Sequence, residues 1–224
     1  EFREQCNEWT GLFEVVCGDW QPLGDPAVEG RLTSASYGDR AGGFVVAVER
    51  ASRDTKTLWA ATQTGRVFIS KNADADPASA VIFTRLDGLA ANDPNRFVSG
   101  IHIDPSDANH VWISYSGFNA ATPTTPGHVF EVTYNEGLGT ATWTDLSFDL
   151  GEVPITDVAR DDRTGDLYAS SDATVYRLEC DDEDWTLAGT GMPRVEVAGL
   201  TILPSSRKLY AATHGMGAWL LRLP

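Results

Sequence analysis

The 224-residue sequence predicts an all-β chain built from repeated four-stranded antiparallel sheets. Three observations carry that prediction. Long helical periodicity is missing, and short runs of β-branched and aromatic residues stand between Gly, Pro, Asp and Asn clusters, the pattern of strands and turns. One phrase recurs four times, as "LWAATQTGRVFIS" (58–70), "VWISYSGF…TPGHVFEV" (111–132), "LYASSDATVYRL" (167–178) and "LYAATHGMGAWLL" (209–221). The copies recur every ~40 to 55 residues, the length of a propeller blade, and a four-stranded sheet of that size buries both faces only by stacking beside its neighbours. The expected architecture is therefore a β-propeller, with about four to four and a half blades in this chain.

Each copy is an aliphatic-aromatic pair, small residues, a turn, and a second apolar strand, with aromatic anchors at Trp59, Trp112, Tyr168 and Tyr210. A strand precedes each copy: "FVVAV" (44–48), "VSGIHI" (98–103), "ITDVA" (155–159) and "VAGLTI" (197–202). Three copies also have a strand after them: "VIFTRL" (81–86), "TWTDLS" (142–147) and "DWTLAG" (184–189). The segment "GLFEVVCGDWQPLG" (11–24) matches the last two strands of a unit. The expected division is 1–30 as the end of one blade, full blades at 31–96, 97–152 and 153–194, and a three-stranded blade at 195–224. An edge as apolar as "GAWLLRL" invites aggregation when bare. The sequence therefore predicts that its outer strand and the remaining blades come from upstream sequence or from another chain.

A formal charge of −15, from 32 acidic against 17 basic residues, argues against nucleic acid or an anionic membrane as partner. No apolar run approaches the ~18 to 20 residues of a membrane helix, so no membrane insertion is expected. The opening "EFREQCNEWT" carries no signal peptide, which suggests a mature product or a piece of something longer. Of three cysteines, Cys6 and Cys17 flank the apolar run "GLFEVV", so a local disulfide is expected there. That pairing favours an extracellular or periplasmic home.

From residue 97 onward, "VSGIHIDPSDANHVWISYSGFNAATPTTPGHVFEV" and "LYAATHGMGAWLLRL" resemble bacterial propellers with BNR (Asp-box) repeats, relatives of the sialidase, xyloglucanase and sortilin types. The resemblance implies a box S-x-D-x-G-x-x-W in the turn between a blade's third and fourth strands, where side chains tie the turn's backbone together. Here the boxes are degenerate. The first full blade keeps Ser70-x-Asn72, the second Thr133-x-Asn135-x-Gly137, and the third has Cys180 in place of the Asp, with Trp185 retained. The resemblance specifies fold far better than function, because such propellers serve as hydrolases, receptors and assembly factors.

Loops joining second to third strands share one face with the crossings between blades. On that face "YSGFNAATPTTPG" (115–127) is long where its sister loops spend two or three residues, and loops over ~12 residues are commonly functional. Tyr115, Phe118 and Asn119 form an aromatic and amide set suited to glycan or protein, and Arg96, Arg194 and His214 join them as ligand-binding candidates, with Asn92 and Asp93 close by in sequence. Asp157 is the candidate catalytic acid, if two carboxylates face each other across a cleft. "NADADP" puts Asn72, Asp74 and Asp76 at alternate positions, the spacing that opens a calcium loop, so Ca²⁺ is the one cofactor suggested.

The reading that results is a secreted binding or scaffold module recognising glycan or protein through loop 115–127. A glycoside hydrolase or related carbohydrate-active enzyme, with catalytic residues partly outside this chain, is one alternative. A structural subunit of a larger extracellular assembly is the other.

Overall fold

The computed structural model describes residues 21–25, 32–37 and 43–224. Fifteen strands among them form four antiparallel sheets. Blade 1 holds β1 (Val45–Arg50), β2 (Leu58–Thr62), β3 (Val67–Ser70) and β4 (Thr84–Arg85). Blade 2 holds β5 (Val98–Ile103), β6 (His110–Tyr115), β7 (Val129–Asn135) and β8 (Thr140–Asp145). Blade 3 holds β9 (Ile155–Arg160), β10 (Leu167–Ser171), β11 (Val175–Leu178) and β12 (Trp185–Leu187). Blade 4 has three strands, β13 (Val197–Leu203), β14 (Lys208–Thr213) and β15 (Ala218–Arg222). Within each blade the strands pair in chain order, and the first strands β1, β5, β9 and β13 pack against one another in sequence. The fold is an all-β propeller of four blades. The only helices among the described residues are short 3-10 turns, none long and apolar enough to cross a membrane.

Alternation along the strands explains the stacking, since successive side chains leave a strand on opposite faces. The first three anchor aromatics are each buried against the next blade. Trp59 packs with Val98, Ile101 and Val111, Trp112 with Ile155, Val158 and Leu167, and Tyr168 with Val197, Leu209 and Ala211. Trp59 also donates through Nε1 to Ala108 O, 2.9 Å away in blade 2. The fourth anchor, Tyr210, is 37% exposed, and Val48 on β1 is 56% exposed. The first and last blades therefore do not seal against each other. Blade 1's outer side is covered instead by Leu32 and Tyr37, packed on Leu58, Phe68 and Phe83.

The same irregularity marks all four inner hairpins. Register shifts fall between Val45 and Ala47, Val98 and Gly100, Ile155 and Asp157 (opposite Ser170/Ser171), and Val197 and Gly199. A bulge at the second residue of every inner strand bends the strand and increases its twist. It also aligns Ala47, Gly100, Asp157 and Gly199 as equivalent positions, so Asp157 stands where the other blades carry Ala or Gly.

The turns at the degenerate box positions are braced by side chains. Asn72 Oδ1 accepts from Ile82 N at 2.9 Å and its Nδ2 donates to Ala80 O at 2.9 Å. Asn135 Oδ1 accepts from Leu138 N at 3.0 Å, and in blade 3 Asp166 Oδ1 accepts from Cys180 N at 3.2 Å. Cys180 is an exposed free thiol, while Cys6 and Cys17 lie outside the described residues.

Candidate functional site

The β6–β7 loop, residues 116–128, crosses the face where blade 2 meets blade 3, and it is held from beneath by one arginine. Arg96, buried on the crossing from blade 1, donates through Nε to Ser116 O at 3.2 Å. Its Nη1 donates to Asn119 Oδ1 at 3.2 Å and Thr122 Oγ1 at 2.7 Å, and its Nη2 donates to Gly127 O. Asn119 Oδ1 also accepts from Gly127 N at 2.9 Å, closing the loop on itself. Glu152, on the next crossing, accepts from Ala120 N at 3.2 Å. A planar guanidinium presents several fixed donors, which is what a loop with several inward carbonyls requires. Burial pushes the Arg96 pKa down, and the nearby Glu152, Tyr115, Asp93 and Asp145 offset part of that effect.

Of the residues expected to contact a ligand here, the structure leaves Phe118 as the exposed one, with 52% of its surface free. Tyr115 is fully buried at the end of β6, its ring edge-on to Phe130 at 5.6 Å. Its hydroxyl donates to Asp93 Oδ1 at 2.7 Å, and Asn95 N donates to Asp93 Oδ2 at 3.2 Å. Burial raises the Asp93 pKa to about 7, with the neighbouring Asp87 carboxylate pushing the same way. Asn92 reaches Trp143 O at 3.2 Å through Nδ2. His128, which sequence reasoning passed over, is fully buried beside Arg96, with Nδ1 3.3 Å from Tyr115 O. Desolvation lowers its pKa, which favours the neutral ring in the loop's base.

Arg194 and His214 lie on the blade 3–4 side and are both exposed. His214 Nδ1 sits 2.8 Å from Glu196 Oε2, and its backbone N donates to Glu196 O at 3.0 Å. That pairing anchors the β14–β15 turn. No hydrogen bond or ion pair among the described residues links this pair to the Arg96 group.

The proposed calcium spacing meets a different use in the structure. Both ends of the Asn72 amide are engaged in the turn bonds given above, and Asp74 and Asp76 are exposed. Among the described residues no three His, Cys, Asp or Glu side chains cluster as metal ligands.

Asp157 lines a cavity of about 380 Å³ between the inner strands, together with Glu49, His102, Arg160, Asp162 and Thr201. Ser52, Pro105 and Pro204, on loops between first and second strands, also line it. The cavity thus opens on the face opposite loop 116–128. Burial raises Asp157 to about 6 and also pushes Glu49 up, with His102 pulling both back. Asp157 Oδ1 accepts from Val158 N and Oδ2 from Leu200 N, both at 2.8 Å, so the carboxylate joins blade 3 to blade 4. It also reaches blade 2: a Cβ at Gly100 would collide with Asp157 Oδ1. Gly100→Ala should therefore cost about 2 kcal/mol by overpacking, as read from urea denaturation. In an Asp157→Ala background the same change should cost markedly less, and equal costs in both backgrounds would remove Asp157 as the reason for the glycine.

No family model matches this chain, and no curated protein matches it. Solved structures do. The chain is similar to a β-propeller domain of Myceliophteria_thermophila Cps50 (Swd1), with a TM-score of 0.57 at 13% identity over 84% of this chain and 57% of that one. It is similar to a chain of the Mitotic Checkpoint Complex, with a TM-score of 0.55 at 13% identity over 80% and 50%. An auxiliary nutrient binding protein from Bacteroides thetaiotaomicron matches with a TM-score of 0.54 at 16% identity over 78% and 37%. The kinship is one of fold. The chain spans between about a third and three fifths of the length of these matched chains.

Proposed function

We propose that this propeller is a secreted binding or scaffold module of Asp-box type that engages a glycan or protein partner through loop 116–128, with Phe118 as the central contact. The observation that carries the reading is the combination of an exposed aromatic and a loop already locked by Arg96, Asn119 and Thr122. A preorganised loop loses little entropy on binding, and an aromatic side chain offers a large contact area with few rotatable bonds. Two of the matched structures, a nutrient binding protein and a chain of a multiprotein complex, are named for binding or assembly. The Asn72 and Asn135 turn braces support the Asp-box kinship, and the extracytoplasmic setting rests on the Cys6 and Cys17 spacing.

The hydrolase alternative rests on the raised Asp157 and Glu49 beside one cavity. It is the weaker reading, because both oxygens of Asp157 already accept backbone N–H groups. To test the binding reading, the native chain and Phe118→Ala are compared on a glycan array and a displayed peptide library. Hits on the native chain should weaken about tenfold or more in the variant, whose melting should be unchanged because the ring is exposed. Hits that survive the substitution at full strength would move the contact away from this loop.

A further inference from the structure

His110 opens β6, and both of its ring nitrogens face carboxylates. Nδ1 lies 3.1 Å from Asp104 Oδ2, in the turn before the strand, and Nε2 lies 2.7 Å from Glu131 Oε1 on β7. A neutral imidazole carries one N–H and donates in one direction only, whereas the imidazolium donates from both nitrogens. The two contacts together therefore require the charged ring. The Glu131 bond raises the His110 pKa, with burial opposing it and Asp104 adding to the rise. His110 in turn lowers Glu131, and at Asp104 burial raises the pKa but the Ser106 bonds and His110 outweigh it. The other charges nearby are engaged elsewhere. Arg160 on β9 lies over the Trp112 ring at 4.4 Å and donates to Asp162, and His102 on β5 sits between Trp112 and Asp162. Lys71 of blade 1 donates to Asn109 Oδ1 at 2.8 Å, and Asp107 accepts from Asn109 N at 2.9 Å. Blade 3 fills the same two positions differently. Asp166 stands two residues before its anchor and Arg177 opposite that anchor, as His110 and Glu131 do in blade 2. Arg177 Nη2 donates to Asp166 Oδ2 at 2.7 Å, so blade 3 has a permanently charged bridge where blade 2 has a titratable one.

The turn that His110 closes also carries the seam with blade 1. Asp104 N donates to His110 O at 2.8 Å, and His110 N donates to Asp107 O at 3.0 Å. Between them, Ala108 O accepts from Trp59 Nε1 and Asn109 Oδ1 from Lys71 Nζ, both side chains of blade 1. Asn109 O accepts from Tyr134 N on β7 at 2.8 Å. We propose that His110 is a proton-dependent latch on the seam between blades 1 and 2, fastening the β5–β6 turn to β7 while both ring nitrogens are protonated and releasing it when one proton leaves. Loss of that proton turns one carboxylate toward a nitrogen lone pair in a half-buried site, and the ring no longer ties Asp104 to Glu131. The direction of the effect follows from the raised pKa. The latch contributes fully below the ordinary value of 6.5 and is lost as pH rises through the titration of the folded ring. This inference is independent of the Phe118 loop, which lies at the other end of β6.

The first measurement uses the native protein, through nitrogen NMR spectra of its imidazole rings. Near neutral pH both His110 nitrogens should be protonated, the ring should titrate above 6.5, and Glu131→Gln should move that midpoint down. The Trp59 indole N–H reports on the turn. Its protection from hydrogen exchange, corrected for the intrinsic rate, should fall about fivefold across the His110 midpoint, and His110→Gln should show no such step. Urea denaturation gives the linked stability. The advantage of the native protein over His110→Gln should shrink as pH rises through the midpoint, while the Asp93 and Asp157 titrations cancel because both proteins carry them. A ring protonated at one nitrogen only near neutral pH, a Trp59 indole that ignores the ring's titration, or a stability difference that stays constant with pH each overturns the latch.

Discussion

Replacing Arg96 with Ala lowers the stability of the propeller by about 3 to 5 kcal/mol, the expected cost of removing a buried charged donor from several acceptors. For a domain of this size that is a fall in Tm on the order of 10 °C. The loss has a definite origin. Ser116 O, Gly127 O, Asn119 Oδ1 and Thr122 Oγ1 all accept from this one guanidinium. A truncated side chain leaves them without that donor in a site where water enters poorly, because Arg96 is only 6% exposed. Lysine keeps the charge but not the fork, so Arg96→Lys should recover only part of the loss. Hydrogen exchange localises the effect: amides of 116–127 should lose protection in Arg96→Ala beyond the global change. A variant that melts within about 2 °C of the native protein, with loop protection intact, would show that the loop does not depend on Arg96.

The second large effect is a pH dependence centred on Asp93. Its carboxyl titrates at about 7 in the folded protein against an ordinary value of 3.8, because it is buried and lies near Asp87, with the Tyr115 hydroxyl, the Asn95 amide and Arg85 only partly compensating. A folded-state pKa raised above the unfolded value means that the native state holds the proton longer. Stability from this group is therefore greatest below pH 3.8 and falls as pH rises, until the native carboxyl has ionised near pH 7. The full penalty above that point is about 4 kcal/mol, since each tenfold change in proton affinity is worth roughly 1.4 kcal/mol. Asp157, raised to about 6, adds a drop of the same sign over a narrower window. Asp93→Asn removes the ionisation. Its Oδ1 keeps the Tyr115 hydroxyl, while its NH₂ faces the Asn95 N–H, so the absolute stability shifts as well. The readout is therefore the slope. Between pH 5 and 8 the native protein should lose stability relative to Asp93→Asn, measured by urea denaturation at each pH. Parallel profiles would mean that Asp93 ionises freely in the folded state.

Much of the fold was legible in the sequence because the signals are local. A strand that buries one face must alternate, and a blade that stacks on a neighbour must present the same aromatic at the same register. That is why Trp59, Trp112, Tyr168 and Tyr210 stood out in the repeat, and why they turn out to be equivalent residues of β2, β6, β10 and β14. Among the described residues blade 4 has three strands, β13, β14 and β15.

The candidate site was less legible, and the failure has a physical cause. Arg96, Tyr115 and Asn119 are residue types that serve equally well to hold a ligand or to satisfy buried backbone groups, and composition cannot tell these uses apart. In the structure Arg96 and Tyr115 turn inward and Asn119 accepts from Arg96 and Gly127, leaving Phe118 at the surface. Asp157 shows the same limit from another side. Its environment consists of Gly100 in one blade and Leu200 in another, each more than forty residues away in sequence. By itself the sequence determined the alternation, the repeat and hence the stacked four-stranded blades, all properties of short-range pattern. Only the tertiary structure decided which polar side chains are spent on the fold and which side chains remain free, because burial and hydrogen-bond satisfaction are set by residues that meet only once the blades have stacked.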